Sequence, residues 1–170
     1  MKKKRYIIIT SVLVILAAAI FVLARLNAPE VPSESGSIAI VKDGDVLKTY
    51  TLDDIEAMDY VEADVSLSSS SFDNVEGTFR GVPVRALLND ADASLLEGAS
   101  QIVAQAEDNY VTAFSAEEAV EDDSIIIAYS MDGKGLGTMD GGGTGPFRLI
   151  VMGDEFANRS VRWLTIIEVR

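Results

Sequence analysis

The chain has 170 residues, with 14 lysines and arginines against 27 acidic residues, and it contains neither cysteine nor histidine. Disulfides, thiolate or imidazole metal sites and every Cys–His or Ser–His catalytic pair are therefore excluded, leaving acid–base work near neutral pH to carboxylates, lysine and tyrosine. Five of the basic residues and none of the acidic ones lie in the first 25, so the remainder carries 9 basic against 27 acidic residues, a formal charge of −18 that excludes nucleic acid as a partner and repels anionic headgroups.

Lys2, Lys3, Lys4 and Arg5 precede an uncharged apolar run from Tyr6 to Ala24, which Arg25 closes. The run is 19 residues long, and a helix crosses the hydrocarbon core with about 20. Its basic flank belongs in the cytoplasm by the positive-inside rule. A cleavable signal peptide is the rival reading, but its apolar core is normally about 7–15 residues. The small-residue site at Ala28 is followed by Pro29, and Val22-Leu23-Ala24 is a weaker candidate. We therefore expect residues 1–26 to form an uncleaved, single-pass anchor in the cell membrane, with everything after it extracytoplasmic. Without cysteine there is no lipid attachment. Residues 27–36, polar and proline-containing, read as a linker. About 140 residues remain, enough for one domain over 37–170 with one core.

Ile38, Ile40 and Val46 lie on strand-like runs split by Asp43-Gly44, a hairpin signal. Thr51 is placed to cap a short helix carrying Leu52, Ile55 and Met58, with Asp54 three residues after the cap. Tyr60 to Leu67 alternates like a half-buried strand and runs into Ser68-Ser69-Ser70-Ser71. Pro83 suits a helix first turn, and Val84, Leu87 and Leu88 give that helix a buried face. Ser115 and Glu118 make a capping box. Ser124 to Tyr129 and Phe147 to Met152 read as buried strands, and Trp163, alternating with Val161, is expected in the core.

Between those two buried strands lies a loop from Asp132 to Arg148 that holds seven glycines. Long loops in compact domains are usually functional or disordered. Glycine lets a ligand approach backbone N–H groups closely, and the bland alternative is a mobile surface hairpin. Gly133-Lys134-Gly135-Leu136-Gly137 is not a dinucleotide fingerprint, because a strand and not a helix follows it. The cluster Glu117, Glu118, Glu121, Asp122 and Asp123 lacks the spacing and fixed glycine of a calcium loop.

Six segments in order carry a family resemblance. Gly81-Val82-Pro83-Val84-Arg85-Ala86-Leu87-Leu88 resembles "tGvPLrdLL", and Asp108-Asn109-Tyr110 resembles a "DGY" hairpin. Ser115 to Ala119 resembles a short "leeA" helix, and Ala128 to Gly133 resembles "lAyxmNG". Gly145 to Val151 resembles "GxPxRlvvP", and Ser160 to Val169 resembles "vKWlxxIev". Together they are similar to the oxidoreductase molybdopterin-binding domain of the sulfite-oxidase fold, across essentially the whole of 37–170. The resemblance implies an α+β domain, mostly strands with short helices.

In catalytic members of that family, the strand before the Gly-Val-Pro helix ends in a cysteine that ligates molybdenum. The resemblance puts Ser69 at that position, and a hydroxyl is a harder and less acidic ligand than a thiolate. The histidine that often precedes "GxPxR" is replaced by Thr144 or a glycine. Molybdenum is therefore not expected. What the resemblance leaves is a pterin pocket. Arg80 and Arg148 could pair with a phosphate, and the backbone of Gly142 and Gly143 could do the same. Asp108 or Asp140 could take the donor edge of a pterin, and Tyr110, Tyr129 or Phe147 could stack on it. Each has a bland alternative: arginines balancing an acidic surface, tyrosines on strands serving as core or cross-strand partners. Some exported, cysteine-less proteins with this resemblance bind pterins as sensory partners. The expected function is non-catalytic binding of a pterin or similar heterocycle outside the membrane, feeding a membrane partner protein. The alternatives are a molybdopterin oxidoreductase with non-cysteine ligation and a structural module that has lost its pocket.

Overall fold

The computed structural model describes residues 36–69, 74–121 and 123–170, together with Leu13, Val14, Leu16 and Ala18. The chain divides into two units, Met1–Glu30 and Val31–Arg170. In the first, the four described residues are helical, and Leu13, Val14 and Leu16 are exposed. No helix among the described residues is long and apolar enough to cross a membrane. The expected anchor, and the linker up to residue 35, otherwise lie outside the described residues.

The second unit is mostly strand with short helices. Its strands are β1 (Ser37–Lys42), β2 (Asp45–Thr51), β3 (Val61–Leu67), β4 (Val75–Pro83), β5 (Gln101–Ala106), β6 (Val111–Ser115), β7 (Ile125–Met131), β8 (Lys134–Gly135), β9 (Arg148–Val151) and β10 (Leu164–Val169). Its helices are α1 (Leu52–Glu56), α2 (Val84–Ala91) and α3 (Ala116–Glu121), with a 3₁₀ turn at Ala157–Arg159. One sheet runs β2-β1-β10-β5-β6, with β1 parallel to β10 and the other pairs antiparallel. The other runs β3-β4-β7-β8, with β9 also paired to β7.

Local chemistry accounts for the elements. The β1–β2 turn places Asp43 at φ 53° and Gly44 at φ 87°, the left-handed geometry that an Asp-Gly hairpin uses. Thr51 and Asp54 close a reciprocal capping box at α1, each side chain bonding the other's backbone N–H. In α2, Val84, Leu87 and Leu88 are buried, as their spacing predicts. Strand β7 is apolar on both sides for a physical reason. Ile125, Ile127 and Tyr129 face the main core shared with β1, β5, β10 and α2, while Ile126 and Ala128 face a second cluster with Val65, Phe79, Leu136 and Ile150. Burial of both faces explains a continuous apolar run.

Two local expectations are corrected. Trp163 is half-buried and belongs to neither core cluster, because its backbone turns left-handed (φ 53°) and breaks the alternation from Val161. Tyr110 is not on a strand. It ends the β5–β6 turn, where Asn109 takes φ 67°, and it is exposed.

Candidate functional site

A cavity of about 720 Å³ opens where the end of β3, the start of β4, the β5–β6 turn, the start of β9 and the segment before β10 meet. That size suits a small-molecule ligand. Five of the residues singled out from the sequence line it together: Ser69, Asp108, Tyr110, Thr144 and Arg148. They come from chain positions up to 79 residues apart, so only the fold brings them together.

Arg148 is the most unusual of them. It sits at the first position of β9 and is only 8% exposed. Its Nε donates to Ser160 Oγ at 3.0 Å, and its guanidinium carbon lies 6.0 Å from the centre of the Phe79 ring. No carboxylate pairs with it among the described residues. Burial, then the nearby charge of Arg162, pulls its pKa down from the usual arginine range to about 10. It is still cationic at neutral pH. Removing a charge from water without a counter-ion is costly. No buried side-chain nitrogen among the described residues is sealed without a partner, so the two terminal nitrogens, which bond no acceptor among the described residues, are not sealed off, and Arg148 lines the cavity.

Around this cation the walls are mixed, with Val75, Met131 and Ala157 set among polar groups. The Asp108 carboxylate accepts from the Tyr110 N–H at 3.0 Å, which fixes the turn, and the Tyr110 hydroxyl donates to the Asn158 carbonyl. Ser69 N–H donates to Asn74 Oδ1 at 3.1 Å. The Ser68 backbone is stitched to the opposite wall by Ser68 N–H to the Glu155 carbonyl at 3.0 Å and Ala157 N–H to the Ser68 carbonyl at 2.9 Å. Ser70 and Ser71 lie outside the described residues.

The other expected residues are elsewhere. Arg80 does not line the cavity. On β4 it faces Glu62 of β3, donates to its carboxylate at 2.6 and 2.9 Å, and stacks over Tyr60 at 4.4 Å, so its charge is already matched at the surface. Asp140 is exposed on the glycine loop and does not line the cavity either. The same holds for Gly142 and Gly143, whose N–H groups donate to the carbonyls of Met139 and Thr138 at 2.9 and 2.8 Å. The loop's N–H groups from Gly141 to Gly145 all close bonds inside the loop, so they form no anion cradle. The glycines serve packing. A Cβ on Gly143 would lie 2.3 Å from the Leu136 carbonyl oxygen.

Several lining residues were missed from the sequence: Ser160, Arg162, Asn158, Asn74 and Glu76. Ser160 and Arg162 lie inside the Ser160–Val169 segment, where a basic residue directly before tryptophan was the available signal. Asn74 and Glu76 had none, since their place depends on the β3–β4 register.

Arg148 and Arg162 offer positive charge, Asp108 and Glu76 offer carboxylates, and no thiolate exists. Among the described residues no three acidic side chains converge to hold a metal ion.

This arrangement is that of a small-ligand domain with an anion-compatible cavity. The model of the oxidoreductase molybdopterin binding domain matches residues 28–170, and the chain belongs to that family. Among solved structures, the sulfane dehydrogenase SoxCD from Paracoccus pantotrophus is similar, with a TM-score of 0.62 and 18% identity over 79% of this chain and 38% of that chain. At that identity the likeness shows the fold, and this chain spans well under half of that relative's length. No curated protein matches.

Proposed function

We propose that this domain binds a pterin carrying an anionic group, such as a molybdopterin-like ligand, without molybdenum chemistry, and that it does so outside the cell membrane while tethered by its N-terminal segment. Arg148 carries the reading: a buried guanidinium with no carboxylate partner among the described residues, set in a cavity of ligand size. A phosphate would supply the missing charge through charge-assisted hydrogen bonds, each contributing about 1.5–3 kcal/mol. Family membership supports the pterin, and the absence of cysteine argues against thiolate-ligated metal. The 19-residue apolar run behind a basic flank supports the tether, and a membrane protein is the partner such a tether suits.

The second reading, a molybdopterin oxidoreductase with non-cysteine ligation, is favoured by one observation: Ser69 lines the same cavity. One experiment separates them. The full chain is purified from its own host with detergent, denatured, and its released small molecules and metals are measured by mass spectrometry. A metal-free pterin supports the proposal. A molybdopterin with stoichiometric molybdenum makes the oxidoreductase reading correct. Neither species, together with no uptake of added pterin, leaves a structural module. Partition of the chain into the soluble fraction before detergent would remove the tether.

A further inference from the structure

Trp163 takes φ 53°, a conformation that bulky residues rarely adopt and that surrounding structure must hold in place. Three bonds and one stack hold it. Its indole N–H donates to the Gly143 carbonyl at 2.8 Å, and its backbone N–H donates to the Thr144 carbonyl at 3.2 Å. Its own carbonyl accepts from the Glu107 N–H at 2.9 Å, and the Arg162 guanidinium carbon lies 4.6 Å from the centre of its ring. Trp163 itself does not line the cavity. Yet each contact ends on or beside a residue that does: Thr144 directly, Asp108 through its neighbour Glu107, and Arg162 through the stack. Sequence neighbours in a regular strand point to opposite faces. The left-handed turn at Trp163 removes that constraint and lets the indole and the guanidinium stack on one side.

We propose that Trp163 is a positioning residue for the cavity, held in a strained conformation because this sets the Arg162 guanidinium and the Thr144 wall relative to Arg148. The inference rests on the binding reading above for its consequence in affinity, but its structural part stands without a ligand. The strain is confined to one residue that links the β5–β6 turn, the glycine loop and the segment before β10. Glycine there would relax the backbone and remove the indole bond and the stack together, while the two backbone bonds to Thr144 and Glu107 stay. Phenylalanine would keep the ring under Arg162 and lose only the indole donor to Gly143.

The test uses the full chain in detergent and reads two quantities. The first, on ligand-free protein, is the order of the Arg162 Nε–H group by ¹⁵N relaxation. It is expected to be equally ordered in the native chain and in Trp163→Phe, and more mobile in Trp163→Gly. Equal rigidity in all three overturns the proposal. The second is affinity for inorganic phosphate by calorimetry. Trp163→Gly is expected to weaken it about tenfold. In an Arg162→Ala background, where the stack is already gone, Trp163→Gly is expected to weaken it much less. Equal losses in both backgrounds would make Trp163 a general structural residue and overturn the proposal. A native chain that binds no phosphate, yet loses Arg162 order in Trp163→Gly, would overturn the binding reading and leave the positioning role standing.

Discussion

Arg148 Nε donates to Ser160 Oγ at 3.0 Å, and this one bond decides which edge of a buried guanidinium is left for the cavity. Ser160 follows the 3₁₀ turn, while Arg148 begins β9, so the bond also ties a strand to the segment leading into β10. The hydroxyl offers a dipole but no countercharge. Arg148 therefore stays a cation whose neutralisation is left to something outside the chain's described residues.

That imbalance makes the first prediction. In Arg148→Met the apolar stem is kept and the charge is lost. Replacing a poorly compensated buried charge with a hydrophobic side chain of similar volume is often stabilising. Without ligand, Arg148→Met is expected to unfold at equal or higher denaturant, by about 1 kcal/mol. Its affinity for inorganic phosphate is expected to fall about a hundredfold, the loss typical of removing one partner of a buried charge pair. Denaturant titration and calorimetry check the two halves. A large loss of stability in the ligand-free chain would make Arg148 a structural residue.

The glycine loop makes the second. Gly143 stands where a Cβ would meet the Leu136 carbonyl oxygen at 2.3 Å and Gly137 backbone carbons at 2.6 and 2.7 Å. Backbone cannot yield as a side-chain end does, so Gly143→Ala is expected to lose about 2–3 kcal/mol of stability. Gly142 has open space around its would-be Cβ but sits at φ +73°. Gly142→Ala is expected to lose only about 1 kcal/mol, the cost of a left-handed L-residue. Chemical denaturation of the two variants checks the ranking, and equal costs would refute the packing role assigned to the loop.

Much of the fold was legible because its signals are local. The Asp43-Gly44 turn, the Thr51–Asp54 cap and the Val84, Leu87, Leu88 face each need only a few neighbouring residues, and each formed as read. The site was legible in part. Arg148 and Asp108 fall in motifs and reached the cavity, whereas Arg80, directly before the Gly81–Leu88 segment, was claimed by Glu62 across the β3–β4 pair. Cross-strand register is a long-range fact that no window of sequence contains. The glycine loop misled for a related reason: glycine permits both ligand approach and close backbone packing, and only the Leu136 and Thr138 carbonyls in place decide between them.

The third prediction concerns pH. Asp90, on α2, accepts from Lys48 Nζ and Tyr50 Oη on β2, both at 2.7 Å. The Lys48 bond first, then that of Tyr50, holds the Asp90 carboxyl below its ordinary pKa. Its contribution to stability is thus present above about pH 4 and lost as pH falls through the lower folded value. Tyr50 shifts the other way, raised by burial and then by Asp90. Its contribution is present below about pH 10 and lost as pH climbs toward the raised value. Asp90→Asn is expected to flatten the acid limb of the stability–pH curve, and Tyr50→Phe the alkaline limb. Melting across pH 2 to 11 reads both, and unchanged limbs would mean that the unfolded chain keeps the same contacts.

The fourth concerns the segment from Asp154 to Ser160, which supplies Asn158 and Ser160 to the cavity wall. Arg159 fastens it from the far side, pairing with Asp154 and, at 2.6 Å, with Glu118 on α3. Exposed single ion pairs contribute little, but the Arg159 side chain is only one-third exposed and its guanidinium serves two carboxylates, whose bonds push its pKa up. Arg159→Ala is expected to lose about 1–2 kcal/mol of stability. Its effect on the site should be larger than that of Arg85→Ala, which breaks a surface pair with Asp123, neither of them lining the cavity. Hydrogen exchange gives the direct reading. The Ala157 N–H, bonded to the Ser68 carbonyl across the cavity, should lose protection in Arg159→Ala and keep it in Arg85→Ala. Equal protection in the two variants would mean that the Ser68 and Tyr110 bonds alone hold the wall, and that Arg159 merely decorates it.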